Sequence, residues 1–104
     1  MIIQFNTDKN ISGAEKLESY INSSIADGLE HFSDHITRIE VHLSDENGNK
    51  TSPNDKRCML EARLENRQPI AVTSQSNTIE EAVSNAIDKL KASLQTINGK
   101  VKDN

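Results

Sequence analysis

A helical pattern dominates the C-terminal third of the chain, from Thr78 to Ile97. Apolar residues recur there every three or four positions and so share one face of a helix: Ile79, Ala82, Val83, Ala86, Ile87, Leu90, Leu94 and Ile97. Glu81 follows the initial threonine by three residues, a capping box that predicts a helix start. An Asn-Gly pair comes next and favours a helix end, so residues 98–104 are expected to form a flexible tail.

A second helical pattern runs from about Gly13 to His31. Its apolar face contains Leu17, Tyr20, Ile21, Ile25, Leu29 and Phe32. Ser12 and Glu15 provide another capping box at its start. Gly28 lies inside this predicted helix at a cost of about 1 kcal/mol relative to alanine, which indicates a close packing contact or a bend.

Four short segments alternate between apolar and polar residues, the pattern of strands with one buried face. They are residues 2–6, 38–44, 58–65 and 70–75. The polar stretch between the second and third segments contains Gly48 and Pro53 and is predicted to be a long exposed loop.

The order of these elements predicts an α+β fold, a β-α-β-β-β-α two-layer sandwich. A helix joins the first two strands, so they should be parallel, and the later connections are hairpins. Because each strand is apolar on one face only, both helices should cover the same side of a four-stranded sheet. The expected core is Ile3, Phe5, Leu17, Ile21, Ile25, Leu29, Ile39, Val41, Leu43, Leu60, Leu64, Ile87, Leu90 and Leu94.

The composition fits one small domain, expected over residues 1–97. Only 34% of the 104 residues are hydrophobic and 3% aromatic, so the core should be small and aliphatic. The single cysteine, Cys58, excludes an internal disulfide and fits a reducing compartment. No apolar run reaches the length of a membrane span and no signal-peptide pattern opens the sequence, so a soluble cytoplasmic protein is expected.

The sequence offers little catalytic chemistry. It contains no glycine-rich phosphate loop, carboxylate dyad or catalytic triad, so we expect no enzyme, cofactor or small-molecule substrate. His31 and His35 could share a metal on a helix face, but solvent-facing histidines at a helix end are the simpler interpretation. Cys58 could be a nucleophile, although it alternates in phase with Leu60 and should be buried.

Positive charge is concentrated in two parts of an otherwise acidic chain. The net charge of −4 argues against a general nucleic-acid binder, but one basic face could still dock on RNA. The candidate phosphate contacts are Lys89, Lys91, Lys100, Lys102, Lys56, Arg57 and Arg67. Ordinary solvated charge at a helix C-terminus remains open as an explanation of Lys89, Lys91, Lys100 and Lys102. Cross-strand ion pairing on the open sheet face remains open as an explanation of Arg57, Arg63 and Arg67.

Three stretches, in this order and spacing, resemble a known family. They are Gly28–Phe32, Ile36–Leu43 and Ala86–Leu90. Together with the element order they make the chain similar to the ribosome hibernation-promoting factor and ribosome-associated inhibitor family, whose domain is also called the S30AE or sigma-54 modulation domain. The likeness extends over about residues 2–97, and the chain resembles a divergent short form without the second, dimerising domain of long relatives.

The resemblance implies a function. Such proteins are non-enzymatic, bind 16S rRNA of the small ribosomal subunit near the decoding centre, and silence idle ribosomes under stress. A monomer that regulates translation in this way would be expected here. Lys89 stands where the family carries lysine.

Other positions depart from the family pattern. Ala92, Ser93 and Thr96 stand where the family is rich in longer polar and basic residues, and Gly28 and His31 stand where lysine is common. The alternative function is therefore a protein–protein interaction domain that keeps the fold but has lost ribosomal RNA binding.

Overall fold

The computed structural model describes residues 1–8, 14–46 and 55–102, and within the last helix it describes side chains as far as Ile97. The elements in chain order are β1 (Ile2–Thr7), α1 (Ala14–Gly28), a 3-10 helix (Glu30–His35), β2 (Ile36–Asp45), β3 (Lys56–Leu64), β4 (Ile70–Ser76) and α2 (Ile79–Lys102). This order confirms the predicted β-α-β-β-β-α arrangement.

The four strands form one sheet in the order β1-β2-β3-β4. β1 is parallel to β2, whereas β2–β3 and β3–β4 are antiparallel, as predicted. Both helices run opposite to β2 and therefore parallel to each other. We call the end of the sheet with the β2–β3 connection and both helix starts the loop end. The opposite end, with the β3–β4 turn and both helix ends, is the turn end.

One hydrophobic core lies between the sheet and the two helices. Most of the predicted core residues are buried, and Ile3, Phe5, Leu17 and Leu64 are half-buried against them. Tyr20 is an exception, because its side chain is 49% exposed and not part of the expected apolar face. It lies beside that face on α1, where its phenol hydroxyl can reach water.

The first helix is shorter than predicted. α1 ends at Gly28 instead of His31, and the chain continues as the 3-10 helix. The Phe32 amide donates to the Leu29 carbonyl oxygen at 2.9 Å. A 3-10 helix places residues three apart directly above one another, so Phe32 enters the core beneath Leu29.

The last helix is longer than predicted. α2 continues through Asn98 and Gly99 to Lys102, so the expected helix end after Ile97 is wrong. Glycine inside a helix costs about 1 kcal/mol, which does not by itself end a helix. The start of α2 is as predicted, because the Glu81 amide donates to Thr78 Oγ1 at 3.1 Å. The second predicted capping box begins at Ser12, outside the described residues.

A β-bulge near the start of β2 sets the faces of this strand. The register with β3 shifts between Ile36 and Arg38, and Thr37 Oγ1 donates to the Arg63 carbonyl oxygen at 3.0 Å. The extra residue lets Ile36 and Ile39, three positions apart, both face the core. Arg38 consequently lies on the open face of the sheet, the face that the two helices do not cover.

Candidate nucleic-acid interface

The predicted phosphate contacts do not form one patch. Lys56 and Arg57 open β3 at the loop end, whereas Arg67 follows the strand at the turn end. A nine-residue strand is roughly 30 Å long, so the two groups lie at opposite ends of the sheet. Lys100 and Lys102 lie in the last turn of α2, also at the turn end, and their side chains are outside the described part of the chain.

Lys56 is held by two buried carboxylates. Its ammonium lies 3.1 Å from Asp45 Oδ2 and 3.0 Å from Asp55 Oδ1, and both aspartates are less than a tenth exposed. Hydrogen bonds to Asp55 and Asp45 raise the pKa of Lys56 above its ordinary value. A phosphate would have to compete with both carboxylates, so the arrangement favours a structural role at the base of the β2–β3 connection.

Arg57 is less constrained than Lys56. Its Nε lies 3.8 Å from Glu46 Oε1, and the two side chains are 39% and 49% exposed. A solvent-exposed ion pair at this distance contributes little to stability. Arg57 can therefore reorient toward another anion, although at the end of the sheet remote from Arg67.

Lys89 joins α2 to the free edge of the sheet. Its ammonium donates to the carbonyl oxygen of Thr73 in β4 at 2.7 Å. Nearby, Asn85 Nδ2 donates to Ser76 Oγ at 3.2 Å. The Lys89 side chain is exposed and has two further N–H donors, so it can contact a phosphate while it remains bound to the strand.

Lys89 and Lys91 lie on different sides of α2. Two residues correspond to about 200° around a helix, so one lysine is beside β4 and the other is on the opposite flank. Lys91 is half-buried and has no ion-pair partner among the described residues. An RNA phosphate backbone that runs along one flank of α2 is therefore beside only one of these two lysines.

Arg67 borders an open groove at the turn end. The groove has a volume of about 770 Å³ and is lined by Asn66, Arg67, Gln68, Pro69, Ile70 and Ile97. Asn66 has a φ of 61°, a left-handed conformation that asparagine tolerates in tight turns. Arg67 is exposed and unpaired within the described part of the chain, and the groove brings it to the C-terminal half of α2.

The arginines of the open sheet face are engaged in ion pairs. Arg38 Nη2 lies 2.9 Å from Glu40, and Arg63 contacts Glu40 at 3.2 Å and Glu61 at 3.1 Å. Partial burial raises the pKa of Glu40, but the charges of Arg38 and Arg63 and hydrogen bonds from His42 and Arg38 outweigh it. The pKa of Glu40 is therefore below its ordinary value of 4.5. Cross-strand ion pairing is thus the correct interpretation of Arg63.

The first helix presents negative charge. Glu15, Glu18 and Asp27 are exposed on α1, and Glu30 is exposed just beyond it. Lys16 is the basic side chain in this group. This surface repels phosphates, and it extends to the turn end at Asp27 and Glu30, so an RNA contact would use α2 and the β3–β4 turn rather than α1.

The remaining candidate chemistry is weak. Cys58 is fully buried, and loss of hydration raises the pKa of its thiol to about 12, so it cannot serve as a nucleophile near neutral pH. His31 and His35 are exposed on the 3-10 helix, where residues four apart point about a third of a turn away from each other. Among the described residues no group of three or more metal-ligating side chains comes together.

No helix in the described ranges combines the length and the apolar character needed to span a membrane.

The alternating strand pattern could not show which acidic residues hold Lys56. Asp55 directly precedes Lys56 in the sequence. Asp45 reaches Lys56 only because Asp45 of β2 is paired with Lys56 of β3. That pairing depends on the register, which the bulge near Thr37 shifts.

Two solved structures share this fold. The N-terminal domain of Thermus thermophilus Protein Y superposes with a TM-score of 0.74 at 18% identity, over 93% of this chain and 99% of that one. A ribosomal subunit interface protein from Coxiella burnetii superposes with a TM-score of 0.67 at 16% identity, over 95% of this chain and 99% of that one. A sequence comparison with curated proteins gives no match.

The family comparison covers nearly the whole chain. The family model described as "Sigma 54 modulation protein / S30EA ribosomal protein" matches residues 5–102, from β1 to the last turn of α2. This match confirms the resemblance found in the sequence. The chain belongs to the sigma 54 modulation protein / S30EA ribosomal protein family.

Proposed function

We propose that this chain is a non-enzymatic cytoplasmic factor that binds 16S rRNA of the small ribosomal subunit near the decoding region. There it inhibits translation and promotes ribosome hibernation under stress. The observation that carries the proposal is the family match over residues 5–102. The name of the Coxiella burnetii structural relative, a ribosomal subunit interface protein, supports the same class of partner.

The positions of the candidate residues favour the turn end and α2 as the contact surface. Arg67 and the C-terminal half of α2 meet at the turn end, so Arg67, Lys100 and Lys102 are the first candidates for phosphate contacts. Lys89 and Lys91 extend the surface along α2, one on each flank. Lys56 and Arg57 belong to the loop end and contribute least. Such contacts position a protein on RNA without reading its sequence.

Co-sedimentation with purified 30S subunits tests the proposal. Wild type should bind at low salt, and log K should fall by roughly 0.7–0.9 per phosphate contact for each tenfold rise in salt. Replacement of Lys89, Lys91, Lys100 and Lys102 by glutamate should abolish binding while the circular dichroism spectrum stays unchanged. Wild type that fails to bind at low salt contradicts the proposal.

Single charge reversals locate the surface. Arg67→Glu at the turn end should weaken 30S binding strongly, whereas Lys16→Glu on acidic α1 changes the net charge equally and should have little effect. Lys56→Met should reduce stability more than binding. Equal effects of Arg67→Glu and Lys16→Glu would place the contacts on another surface.

The alternative function is a protein–protein interaction domain without rRNA binding. It is favoured by the exposed carboxylates of α1, including Glu15, Glu18 and Asp27. A pull-down from extract separates the two functions. A defined protein partner recovered without rRNA favours the alternative, and recovery of 30S subunits favours ribosome binding.

A further inference from the structure

Like charges lie opposite each other on the open face of the sheet. Arg38 pairs with Arg63 across β2 and β3, and two residues further along Glu40 pairs with Glu61. We call these pairs the arginine row and the glutamate row. Like charges directly opposite each other are unfavourable in a sheet. The two rows give this face a band of positive charge beside a band of negative charge, about 7 Å apart along the strands.

Contacts within one molecule satisfy these rows only in part. Glu40 forms ion pairs with Arg38 and Arg63 and lies 3.5 Å from His42. Glu61 is paired with Arg63 alone among the described residues. The arginine side chains remain 39% and 46% exposed. Each guanidinium has five N–H donors, more than these contacts use. Both arginines can therefore donate to a further carboxylate from outside the molecule.

An exposed apolar side chain lies next to the arginine row. Ile2 is paired with Arg38 across β1 and β2 and is 67% exposed, more than Met1 or Tyr20, the other large exposed hydrophobic residues in the described part of the chain. An isoleucine exposed to this extent gains stability from any surface that covers it. The open face thus combines an ordered charge pattern with apolar area.

We propose that the open face binds the same face of a second copy of this chain. When one sheet is turned over about an axis that crosses the strands between the two rows, the arginine row of each copy lies on the glutamate row of the other. Arg38 then meets Glu40 and Arg63 meets Glu61 of the second copy. Turning the sheet over about an axis along the strands would instead bring arginine onto arginine. The charge pattern thus selects a two-fold arrangement with antiparallel strands.

The size of the face indicates a weak dimer. Four strands about 4.8 Å apart make a face roughly 20 Å wide, and a patch of about 400 Å² per copy lies below the range of stable complexes. The net charge of −4 on each copy adds repulsion. Association should be concentration-dependent, and it would revise the expectation of a monomer.

Measurements on the wild type test the dimer directly. Sedimentation velocity from about 10 µM to 1 mM should show a rising average mass. In a dilution series of amide NMR spectra, concentration-dependent shifts should be confined to residues such as Ile2, Arg38 and Glu61, with none on α1. A constant monomer mass over the whole range overturns the proposal, as do shifts confined to any other surface.

Charge-reversal variants test whether the arginine row and the glutamate row hold the dimer together. Arg38→Glu with Arg63→Glu leaves four acidic residues, and Glu40→Arg with Glu61→Arg leaves four basic ones. Each variant alone should associate at least tenfold more weakly than wild type, and an equimolar mixture should recover dimers. Glu18→Arg with Asp27→Arg on α1 changes the charge as the basic variant does and should not recover dimers with the acidic variant.

A fourfold exchange guards against loss of folding. When all four residues are reversed, the ion pairs within each copy and the complementarity between copies are both preserved. This variant should dimerise like the wild type. If the fourfold variant folds but does not dimerise, the row-on-row arrangement is wrong. The same holds if each double variant dimerises by itself as well as the wild type does.

Discussion

Gly28 at the end of α1 packs directly against Ile87 of α2. A Cβ at position 28 would lie 2.7 Å from Ile87 Cγ2, a distance that real Cβ atoms essentially never show. The sequence pattern indicated a close contact or a bend at this glycine, and the close contact is confirmed. The two helices approach each other here because position 28 has no side chain.

Gly28→Ala should therefore destabilise the protein. Alanine gains up to about 1 kcal/mol in helix propensity, but overpacking typically costs 1–3 kcal/mol, and the β-branched Ile87 moves with difficulty. We expect a lower urea midpoint. The double variant Gly28→Ala/Ile87→Ala, compared with Ile87→Ala alone, should show little or no further loss. A stabilised single variant would mean that the helices separate freely.

Leu90→Ala should be severely destabilising. Leu90 is fully buried in the centre of α2, and removal of a buried leucine side chain costs about 2–5 kcal/mol. Tyr20→Ala on α1 is the matched control, since that side chain is 49% exposed and should matter much less. Thermal unfolding followed by circular dichroism checks both. Equal effects would show that the register of α2 is wrong.

Glu40 should make stability depend on acid pH. Its pKa is lower in the folded protein than its ordinary value of 4.5, so the unfolded chain takes up the proton first as pH falls. The stabilising contribution is complete above pH 4.5 and disappears as pH falls through the lower folded value. Wild type should thus be more stable than Glu40→Gln at pH 7, and the difference should vanish at lower pH. A difference that is constant with pH contradicts this.

Cys58 should be unreactive in the native protein. The thiol is fully buried and its pKa is about 12, so thiolate is scarce at pH 8 and reagents have no access. Labelling with a disulfide reagent should be negligible until urea unfolds the chain. Ser19→Cys in a Cys58→Ala background places a thiol on exposed α1 and should react at once. Rapid native labelling of Cys58 would require an opening of the sheet.

Hydrophobic periodicity was sufficient to predict the layers of this fold. The alternation in β2 and β3 and the apolar face of α2 depend on burial of one face, which follows directly from residue order. The bulge near Thr37 and the 3-10 helix were not predicted, because both depend on how Ile36 and Phe32 fit the completed core. Local patterns contain no information about that fit.

The candidate site was less predictable than the fold. Lys56 and Arg67 looked equivalent in sequence, yet two buried carboxylates hold the first and the described structure leaves the second unpaired. Which end of the sheet each residue occupies follows from strand direction. Whether a cation has a partner depends on register, which pairs Lys56 with Asp45 across two strands.

The parallel helices have a consequence for the partial charges at the two ends of the molecule. Both helices start at the loop end, so their free backbone amides lie there and their free carbonyl oxygens lie at the turn end. Glu15, Glu80 and Glu81 in the first turns offset the partial positive charge of the amides. At the turn end the basic residues of the last turn of α2 offset the partial negative charge of the carbonyl oxygens. A phosphate that reaches the turn end therefore meets these cations together with the carbonyl oxygens that they neutralise.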